Sequence, residues 1–329
     1  IRGRASQSLG PSQISKWQVL NQVIREKKIG ILCVQETHLT TEHEKMINET
    51  YGRSILMFNS QDPDRPGASA GVAFIINRSM LPTDNIKITT IIPGRAILLK
   101  IKWNTCSELT ILNIYAPNNP YHHKQFWESI TNHWTRNNLA KPSMMLGDFN
   151  ITEEPIDRAP THRDNPDAIE ALRNARQLLE VEDKWRQLEP NTRSFTYRSA
   201  NNSLSRLDRI YLSEDCSPCT SNWESEPSKI PTDHNMIKIR YAPLKSPYVG
   251  KGRWTWPLYL TSNDNILNEI RNEGIKTQQQ IKEQTNTRSE ESNPQKTWET
   301  FKITISQIAK KEAKKQSPKI DRRIMKLKK

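Results

Sequence analysis

Four short motifs, in which a run of chain ends in polar residues that can carry chemistry, constrain this fold more than any other feature of the sequence. In chain order they are Ile31-Leu32-Cys33-Val34-Gln35-Glu36-Thr37-His38, Met144-Met145-Leu146-Gly147-Asp148-Phe149-Asn150, Leu204-Ser205-Arg206-Leu207-Asp208-Arg209-Ile210 and Pro231-Thr232-Asp233-His234-Asn235. A short apolar run that stops at Gly or Asp is typical of a strand and the turn after it. Chance is a poor explanation for four such motifs in one chain. We therefore expect their acidic residues to lie at strand tips.

The second motif has the clearest chemistry. Asp148 and Asn150 stand side by side at the predicted strand tip. A carboxylate there can orient a water, and a carboxamide can hold a phosphate oxygen. A turn-capping role for the pair is the alternative, because many strands end in Gly-Asp for turn reasons.

The ordered motifs resemble those of the endonuclease/exonuclease/phosphatase superfamily of metal-dependent phosphodiesterases, and most of all the endonuclease domain of LINE-type (non-LTR) retrotransposons of the fungal kind. The residues that carry the resemblance are Gln35-Glu36-Thr37-His38, Asn113-Ile114-Tyr115-Ala116-Pro117-Asn118, Gly147-Asp148-Phe149-Asn150 with Glu154-Pro155-Ile156-Asp157-Arg158, Arg206-Leu207-Asp208-Arg209 and Thr232-Asp233-His234. The resemblance covers residues 1 to 242. The segment Gly250-Lys251-Gly252-Arg253-Trp254 is similar to the sequence that follows such domains in retroelements.

The resemblance implies a metal site. It makes Glu36 a ligand of Mg²⁺, with Mn²⁺ as a substitute, and places Asp233 on the same ion or on a neighbouring second one. The chemistry agrees, because Mg²⁺ prefers one or two carboxylates together with retained waters. A solvated glutamate at a strand end is the alternative for Glu36.

The other site residues divide between acid–base and phosphate-binding roles. From their chemistry, Asp208 would accept one imidazole N–H of His234, which fixes the tautomer and raises the pKa of the ring. The resemblance makes Asp148 the water-orienting group and His234 a phosphate-stabilising cation, whereas the sequence leaves open which of the two is the general base. Three more residues are catalytic or contact phosphate by resemblance: Tyr115, Asn118 and Asn150.

Apolar periodicity predicts the rest of the architecture. Helical spacing marks residues 13–27, 121–134 and 167–179. Strand-like apolar runs begin at Ile31 and recur at residues 54–58, 71–76, 96–103, 109–115, 143–146, 207–212 and 236–241. Many strands with few, widely spaced helices favour an α+β fold. We expect a four-layer sandwich of two packed mixed sheets covered by helices, DNase I-like by resemblance, with a helical, basic C-terminal extension.

Charge and composition divide the chain. Residues 251–329 carry 18 Lys and Arg against 9 Asp and Glu, which is most of the net charge of +13. We expect a catalytic domain over residues 1–242, a linker over 243–262, and a basic connector over 263–329 that is partly helical or disordered. A polyanion is the expected partner of the basic residues, with a solvated helix as the alternative.

The beginning of the chain departs from the family pattern. The match starts at Ile1-Arg2-Gly3-Arg4, one position after the asparagine that ends the first strand of family members. We therefore expect the first strand to be missing here, together with an asparagine that helps to hold the metal-binding carboxylate. The activity of the chain as given is correspondingly in doubt.

Other classes of function are disfavoured. Four cysteines do not make a disulfide framework in a chain of 329 residues, and Cys216-Ser217-Pro218-Cys219 is only half of a zinc site. No apolar run approaches the roughly 20 residues that a membrane span requires, so no membrane partner is expected.

The function expected from this resemblance is Mg²⁺-dependent nicking of one DNA strand, leaving a 3′-hydroxyl, in the nucleus. DNA is the expected partner, with RNA or a downstream reverse transcriptase domain as further partners. One rival is an apurinic-site nuclease or a phosphatase of the same fold. The other rival is an inactive retroelement remnant that only binds nucleic acid.

Overall fold

The computed structural model describes residues 16–102, 108–228, 230, 232–243, 254–284, 289 and 292–327. Two compact units are present, Ile1–Tyr248 and Val249–Lys329. The match at Ile1 to Arg4 and most of the segment from Gly250 to Trp254 lie outside the described residues, as do positions 244–253 of the predicted linker. The boundaries after residues 242 and 262 stay predictions.

The first unit contains fourteen described strands and five described α-helices. The strands are β1 (Ile31–Gln35), β2 (Ile55–Ser60), β3 (Val72–Asn77), β4 (Lys87–Ile92), β5 (Ala96–Lys102), β6 (Glu108–Tyr115), β7 (Met144–Asp148), β8 (Arg158–Ala159), β9 (Val181–Glu182), β10 (Tyr197–Arg198), β11 (Leu204–Ser205), β12 (Asp208–Ser213), β13 (Thr220–Pro227) and β14 (Asn235–Tyr241). The helices are α1 (Lys16–Glu26), α2 (Thr41–Tyr51), α3 (His123–Asn137), α4 (Pro166–Leu179) and α5 (Lys184–Leu188). Short 3₁₀ turns occupy Pro120–His122, Pro155–Asp157 and Ser217–Cys219.

The strands form one large sheet and three small ones. The large sheet has the order β4-β5-β6-β7-β12-β9, and it is mixed because β6 and β7 run parallel while its other pairs are antiparallel. The small sheets are β1-β3-β2, β13-β14 and β10-β11-β8, all antiparallel. The predicted second mixed sheet is therefore divided, in the described residues, into separate antiparallel pieces.

Alternating side chains build the layers. In β3, Phe74 and Ile76 face the large sheet, whereas Ala73 and Ile75 pack with the helix residues Trp17 and Leu20. In β6, the two faces alternate in the same way, because successive side chains of a strand point in opposite directions. Helices α3 and α4 cover the outer face of the large sheet, while α1 and α2 cover the outer face of β1-β3-β2. This is the four-layer sandwich predicted from the sequence.

The second unit is helical. It contains a 3₁₀ segment (Leu258–Ser262), α6 (Asp264–Glu283) and α7 (Pro294–Leu327). Its small core is built from buried Leu260, Ile266 and Ala309, with Trp254 and Ala313 packed against them. Among the described residues, no helix is long and apolar enough to cross a bilayer.

Candidate active site

Three neighbouring strands of the large sheet place three polar residues directly opposite one another across the sheet. Tyr115 of β6 is aligned with Asp148 of β7 in the parallel pair, and Asp148 is aligned with Asp208 of β12 in the antiparallel pair. Because adjacent strands are about 4.8 Å apart, these residues form a continuous row along the sheet. We call Tyr115, Asp148 and Asp208 the catalytic row.

The turn after β7 fixes Asp148 and Asn150. Gly147 has φ +138°, and a Cβ there would lie 2.0 Å from the carbonyl oxygen of Ile114, so this position requires glycine. The backbone N–H of Asn150 donates to Oδ1 of Asp148 at 3.0 Å, and Nδ2 of Asn150 donates to the carbonyl oxygen of Ala116 at 2.9 Å. The turn hydrogen bond and a catalytic role are thus compatible, because Asp148 keeps its second oxygen and Asn150 keeps one amide N–H.

His234 joins the two carboxylates of the row. Its Nδ1 lies 2.8 Å from Oδ2 of Asp208, and its Nε2 lies 3.9 Å from Oδ2 of Asp148. Since an ionised carboxylate only accepts hydrogen bonds, Nδ1 is the donor to Asp208. One ligand atom from each of Asp148, Asp208 and His234 lies within 4.8 Å of the others, an arrangement that could also hold a metal ion.

The electrostatics of this group are unusual. Burial, together with the charge of Asp208, raises the pKa of Asp148 to about 7. Burial opposes the protonation of His234, but its hydrogen bond to Asp208 and the charges of Asp208, Asp148 and Asp233 raise the pKa of the ring to about 9. The site therefore combines a carboxyl group that titrates near neutrality with an imidazolium cation.

Tyr115 connects the row to Glu36. The hydroxyl of Tyr115 lies 2.5 Å from Oε1 of Glu36 and 2.8 Å from Oδ1 of Asn118. The hydroxyl can donate to either oxygen, so Tyr115 uses neither N–H of the Asn118 amide. The exposed Asn118 therefore has amide N–H groups for another acceptor. Glu36 itself has φ +52°, a conformation that costs energy for a residue with a Cβ and often marks functional sites.

The predicted metal ligands border the group around His234, since the charge of Glu36 helps to raise the pKa of Asp148 and the charge of Asp233 helps to raise that of His234. Glu36 is half-buried and bonded to Tyr115, whereas the side chain of Asp233 is exposed next to His234. The clustered ligand atoms belong to Asp148, Asp208 and His234 and do not include either residue. The shared metal site of Glu36 and Asp233 stays a prediction.

Comparison with known proteins identifies the family. Residues 18–234 match the family described as Endonuclease/Exonuclease/phosphatase family. The chain belongs to this family.

Relatives and solved structures agree with the assignment to the endonuclease/exonuclease/phosphatase family. The transposon TX1 uncharacterized 149 kDa protein of Xenopus laevis is 31% identical over 231 residues, which are 68% of this chain and 17% of that protein. AP endonuclease LMAP from Leishmania major superposes with a TM-score of 0.56 at 18% identity, covering 68% of this chain and 81% of its own. An AP endonuclease from Archaeoglobus fulgidus superposes with a TM-score of 0.55 at 19% identity, covering 69% of this chain and 94% of its own. The two structures confirm the predicted fold class.

Two residues of this endonuclease/exonuclease/phosphatase domain escaped the sequence analysis. The hydroxyl of buried Thr196 accepts hydrogen bonds from the backbone N–H groups of Leu207 and Asp208, both at 3.0 Å. The ring of Tyr197 lies 4.8 Å from the ring of His234. Thr196 therefore positions Asp208, and Tyr197 covers His234. Neither residue follows an apolar run, so nothing in the local pattern separates them from ordinary strand residues.

A buried ionic cluster includes Arg206, two residues before Asp208 of the catalytic row. Arg206 donates to both oxygens of Asp157, at 2.8 and 2.9 Å, and to Asp183 at 2.6 Å. Arg186 also donates to Asp157. We call Asp157, Asp183, Arg186 and Arg206 the ionic cluster. It anchors the chain two residues before Asp208, because the backbone N–H of Arg206 also donates to the carbonyl oxygen of Asp157.

Proposed function

We propose that this chain is a Mg²⁺-dependent DNA endonuclease that nicks one strand and leaves a 3′-hydroxyl, as the target-cutting domain of a non-LTR retrotransposon. The observation that carries the proposal is the catalytic row, in which His234 connects Asp208 with Asp148. Phosphodiester hydrolysis needs a positioned water, a proton acceptor and cationic groups for the phosphate. Asp148 of the row supplies the first two functions, and His234, which contacts the row, supplies the third.

Asp148 is suited to accept the proton of an attacking water. A general base works best when its pKa lies near the working pH, and burial raises the pKa of Asp148 to about 7. His234 holds its proton on Nδ1 against Asp208 and, as an imidazolium, presents the N–H at Nε2 towards Asp148. The 3.9 Å between Nε2 and the Asp148 oxygen separates a phosphate-stabilising donor from a water-orienting acceptor.

The residues present fit a divalent cation. Glu36 offers carboxylate oxygens fixed by the hydroxyl of Tyr115, and oxygen ligands of this kind suit Mg²⁺, with Mn²⁺ as a substitute. Glu36 and Asp233 would hold the ion, which when bound neutralises charge that develops on the phosphate. Tyr115 then orients Glu36, while Asn118 and Asn150 each retain an amide N–H for phosphate oxygens.

The retroelement setting rests on sequence similarity. The relative that is 31% identical is named as a transposon protein, and this chain spans about 17% of its length. A chain that cuts target DNA within a longer retroelement protein would act in the nucleus, with DNA as substrate. RNA and a downstream reverse transcriptase domain are further partners under this proposal.

Nicking of supercoiled plasmid tests the proposal. We expect open-circular product with Mg²⁺ or Mn²⁺, none with EDTA, and nick ends that a DNA polymerase extends without prior phosphatase treatment. Cleavage of only an abasic duplex would indicate a repair nuclease, and release of inorganic phosphate without nicking would indicate a phosphatase. DNA binding with no metal-dependent cleavage would indicate an inactive remnant.

A further inference from the structure

The second unit carries an ordered line of positive charge on α7. Residues at positions three, four, eight and eleven apart along a helix share a face. Five exposed side chains follow this spacing, and we call them the basic stripe: Lys311, Lys314, Lys315, Lys319 and Arg322.

The stripe is not needed for packing. The opposite side of the same part of α7 carries Ala309, which is fully buried, and Ala313, which packs with it in the small core around Leu260 and Ile266. Hydrophobic burial therefore explains the alanines and the length of the helix in this region. It does not explain why five exposed side chains on the other side, where Pro318 is also exposed, are cationic.

The stripe is also poorly neutralised within the described residues. Glu312 borders the stripe: it lies 3.4 Å from Lys315, accepts a hydrogen bond from Gln316 at 2.9 Å, and has its pKa lowered by that hydrogen bond and by the charges of Lys315 and Lys319, so one carboxylate faces five cations. Exposed pairs of this kind contribute little to stability. Like charges at neighbouring positions on a helix repel each other, so the stripe weakens α7 unless an anionic partner neutralises it.

The spacing of the stripe matches a phosphate backbone. Eleven helical steps from Lys311 to Arg322 span about 16 Å, at about 1.5 Å each. Five charges over this length give one charge per 3–4 Å, close to the roughly 3.4 Å per phosphate along one strand of B-form DNA. Lysine heads are flexible point charges, which suit phosphates better than base edges.

The geometry points to the basic stripe as a second nucleic-acid contact surface, which binds the phosphates of one strand of a DNA or RNA duplex without reading its sequence. This surface lies outside the catalytic row, and its binding does not depend on cleavage. It accounts for the uneven distribution of positive charge along the chain. The remaining cations of α6 and α7 lie on several faces and provide a natural control.

Binding by the full chain in EDTA tests this surface, because no cleavage occurs there and failure of the nuclease proposal cannot be confused with failure of the stripe. The stripe variant carries Lys311→Gln, Lys314→Gln, Lys315→Gln, Lys319→Gln and Arg322→Gln. The control variant removes the same charge through Arg271→Gln, Lys276→Gln, Lys282→Gln, Lys296→Gln and Lys302→Gln, all at exposed positions. The affinity for a duplex of about 30 bp with random sequence is measured as a function of salt concentration, once with DNA and once with RNA.

Each phosphate contact contributes about 0.9 to the slope of log affinity against log salt on B-form DNA. We expect the stripe variant to lose about 4 from this slope and at least about tenfold in affinity at low salt, while the control loses less than about 1. A Lys-to-Arg version of the stripe should restore binding, which separates lost charge from lost folding. Equal losses in the stripe and control variants would overturn the proposal. So would loss of binding to anionic vesicles with unchanged duplex affinity. Losses confined to the DNA or the RNA arm would identify the source of the phosphates.

Discussion

Two buried acidic groups of this fold differ in how their charge is balanced. Asp157 of the ionic cluster is 1% exposed and receives two guanidinium groups, from Arg186 and Arg206. Asp148 of the catalytic row is 6% exposed and faces a second carboxylate, Asp208, with one imidazole between them. Burial is nearly the same at the two sites.

The outcome is opposite. Burial raises the pKa of both carboxyl groups, but the hydrogen bonds and charges of the arginines hold the pKa of Asp157 below its ordinary value. At Asp148 burial and the charge of Asp208 outweigh the attraction of His234, and the pKa rises to about 7. The partners, rather than the depth of burial, decide whether a carboxylate holds the fold together or titrates in the working range. The ionic cluster is thus structural, and the catalytic row is reactive.

Asp157→Asn should give the largest loss of stability. The amide keeps the shape but removes the negative charge that two buried arginines share, and breaking a buried ion pair costs about 3–5 kcal/mol. Urea unfolding followed by circular dichroism measures the loss. The control is Asp167→Asn, an exposed acid 3.3 Å from Lys124, which should change the free energy of unfolding by less than about 0.5 kcal/mol. Similar small effects at both positions would remove the distinction between the two clusters.

Asp148→Asn should have the opposite profile: a large loss of activity and a small loss of stability. Loss of a positioned proton acceptor should slow nicking by at least about 100-fold. The free energy of unfolding at pH 8 should fall by no more than about 1 kcal/mol, since burial opposes the charge that the substitution removes. Single-turnover nicking and urea unfolding of the same sample measure the two quantities. A variant that nicks at the parent rate would exclude Asp148 from the reaction.

The pH dependence of stability should reveal His234. Its pKa is raised from an ordinary 6.5 to about 9, so the folded protein holds a proton that the unfolded chain releases. The resulting stabilisation is complete below about pH 6.5 and is lost as the pH rises through 9. Screening of a side chain that is 25% exposed reduces the effect to about 2 kcal/mol. In EDTA, the free energy of unfolding of the parent should fall by about 2 kcal/mol more than that of His234→Gln between about pH 6 and pH 9.5. Parallel plots of unfolding free energy against pH would contradict the raised pKa.

Asp208→Ala and His234→Ala should be non-additive in nicking. Asp208 orients the ring of His234 at 2.8 Å, so either single change should remove much of what the pair provides. If the two losses were independent, the fold-losses of the single variants would multiply in the double variant. We expect the double variant to nick about tenfold faster than that product predicts. Single-turnover rates of all four proteins measure this coupling, and simple multiplication of the losses would mean that the residues act separately.

The sequence was informative where a residue lies next to a strongly apolar strand. Gly147 and Asp148 are the last two residues of strand β7, and both the turn that begins there and its polar tip are predictable from the apolar residues before them. Helix α2 was missed because Ile47 is its only buried residue, so it has almost no apolar periodicity. A capping box between Thr40 and His43 begins that helix instead. Strand β4, which is half-exposed at the edge of the large sheet, escaped for the same reason.

Contacts between segments that are distant in sequence could not be predicted from the sequence. Thr196 meets the backbone of Asp208 only because a short antiparallel sheet folds β10 back on β11, and no local pattern sets that register. The ionic cluster is similar, because Arg206 meets Asp157 and Asp183 across long sequence separations. The motif around Arg206 marked a functional region without showing that this arginine is structural and that its neighbour Asp208 is chemical.

The alignment of Tyr115, Asp148 and Asp208 also limits how this enzyme can change over evolutionary time. A one-residue insertion within β7 or β12 would turn its carboxylate to the opposite face of the sheet, because side chains alternate along a strand. An insertion at the exposed turn of Asn201 and Asn202, between β10 and β11, leaves the ladder of β6, β7 and β12 in register. Length variation among descendants of this chain should therefore accumulate in such turns, where new surface can alter the choice of target while the chemistry is inherited intact.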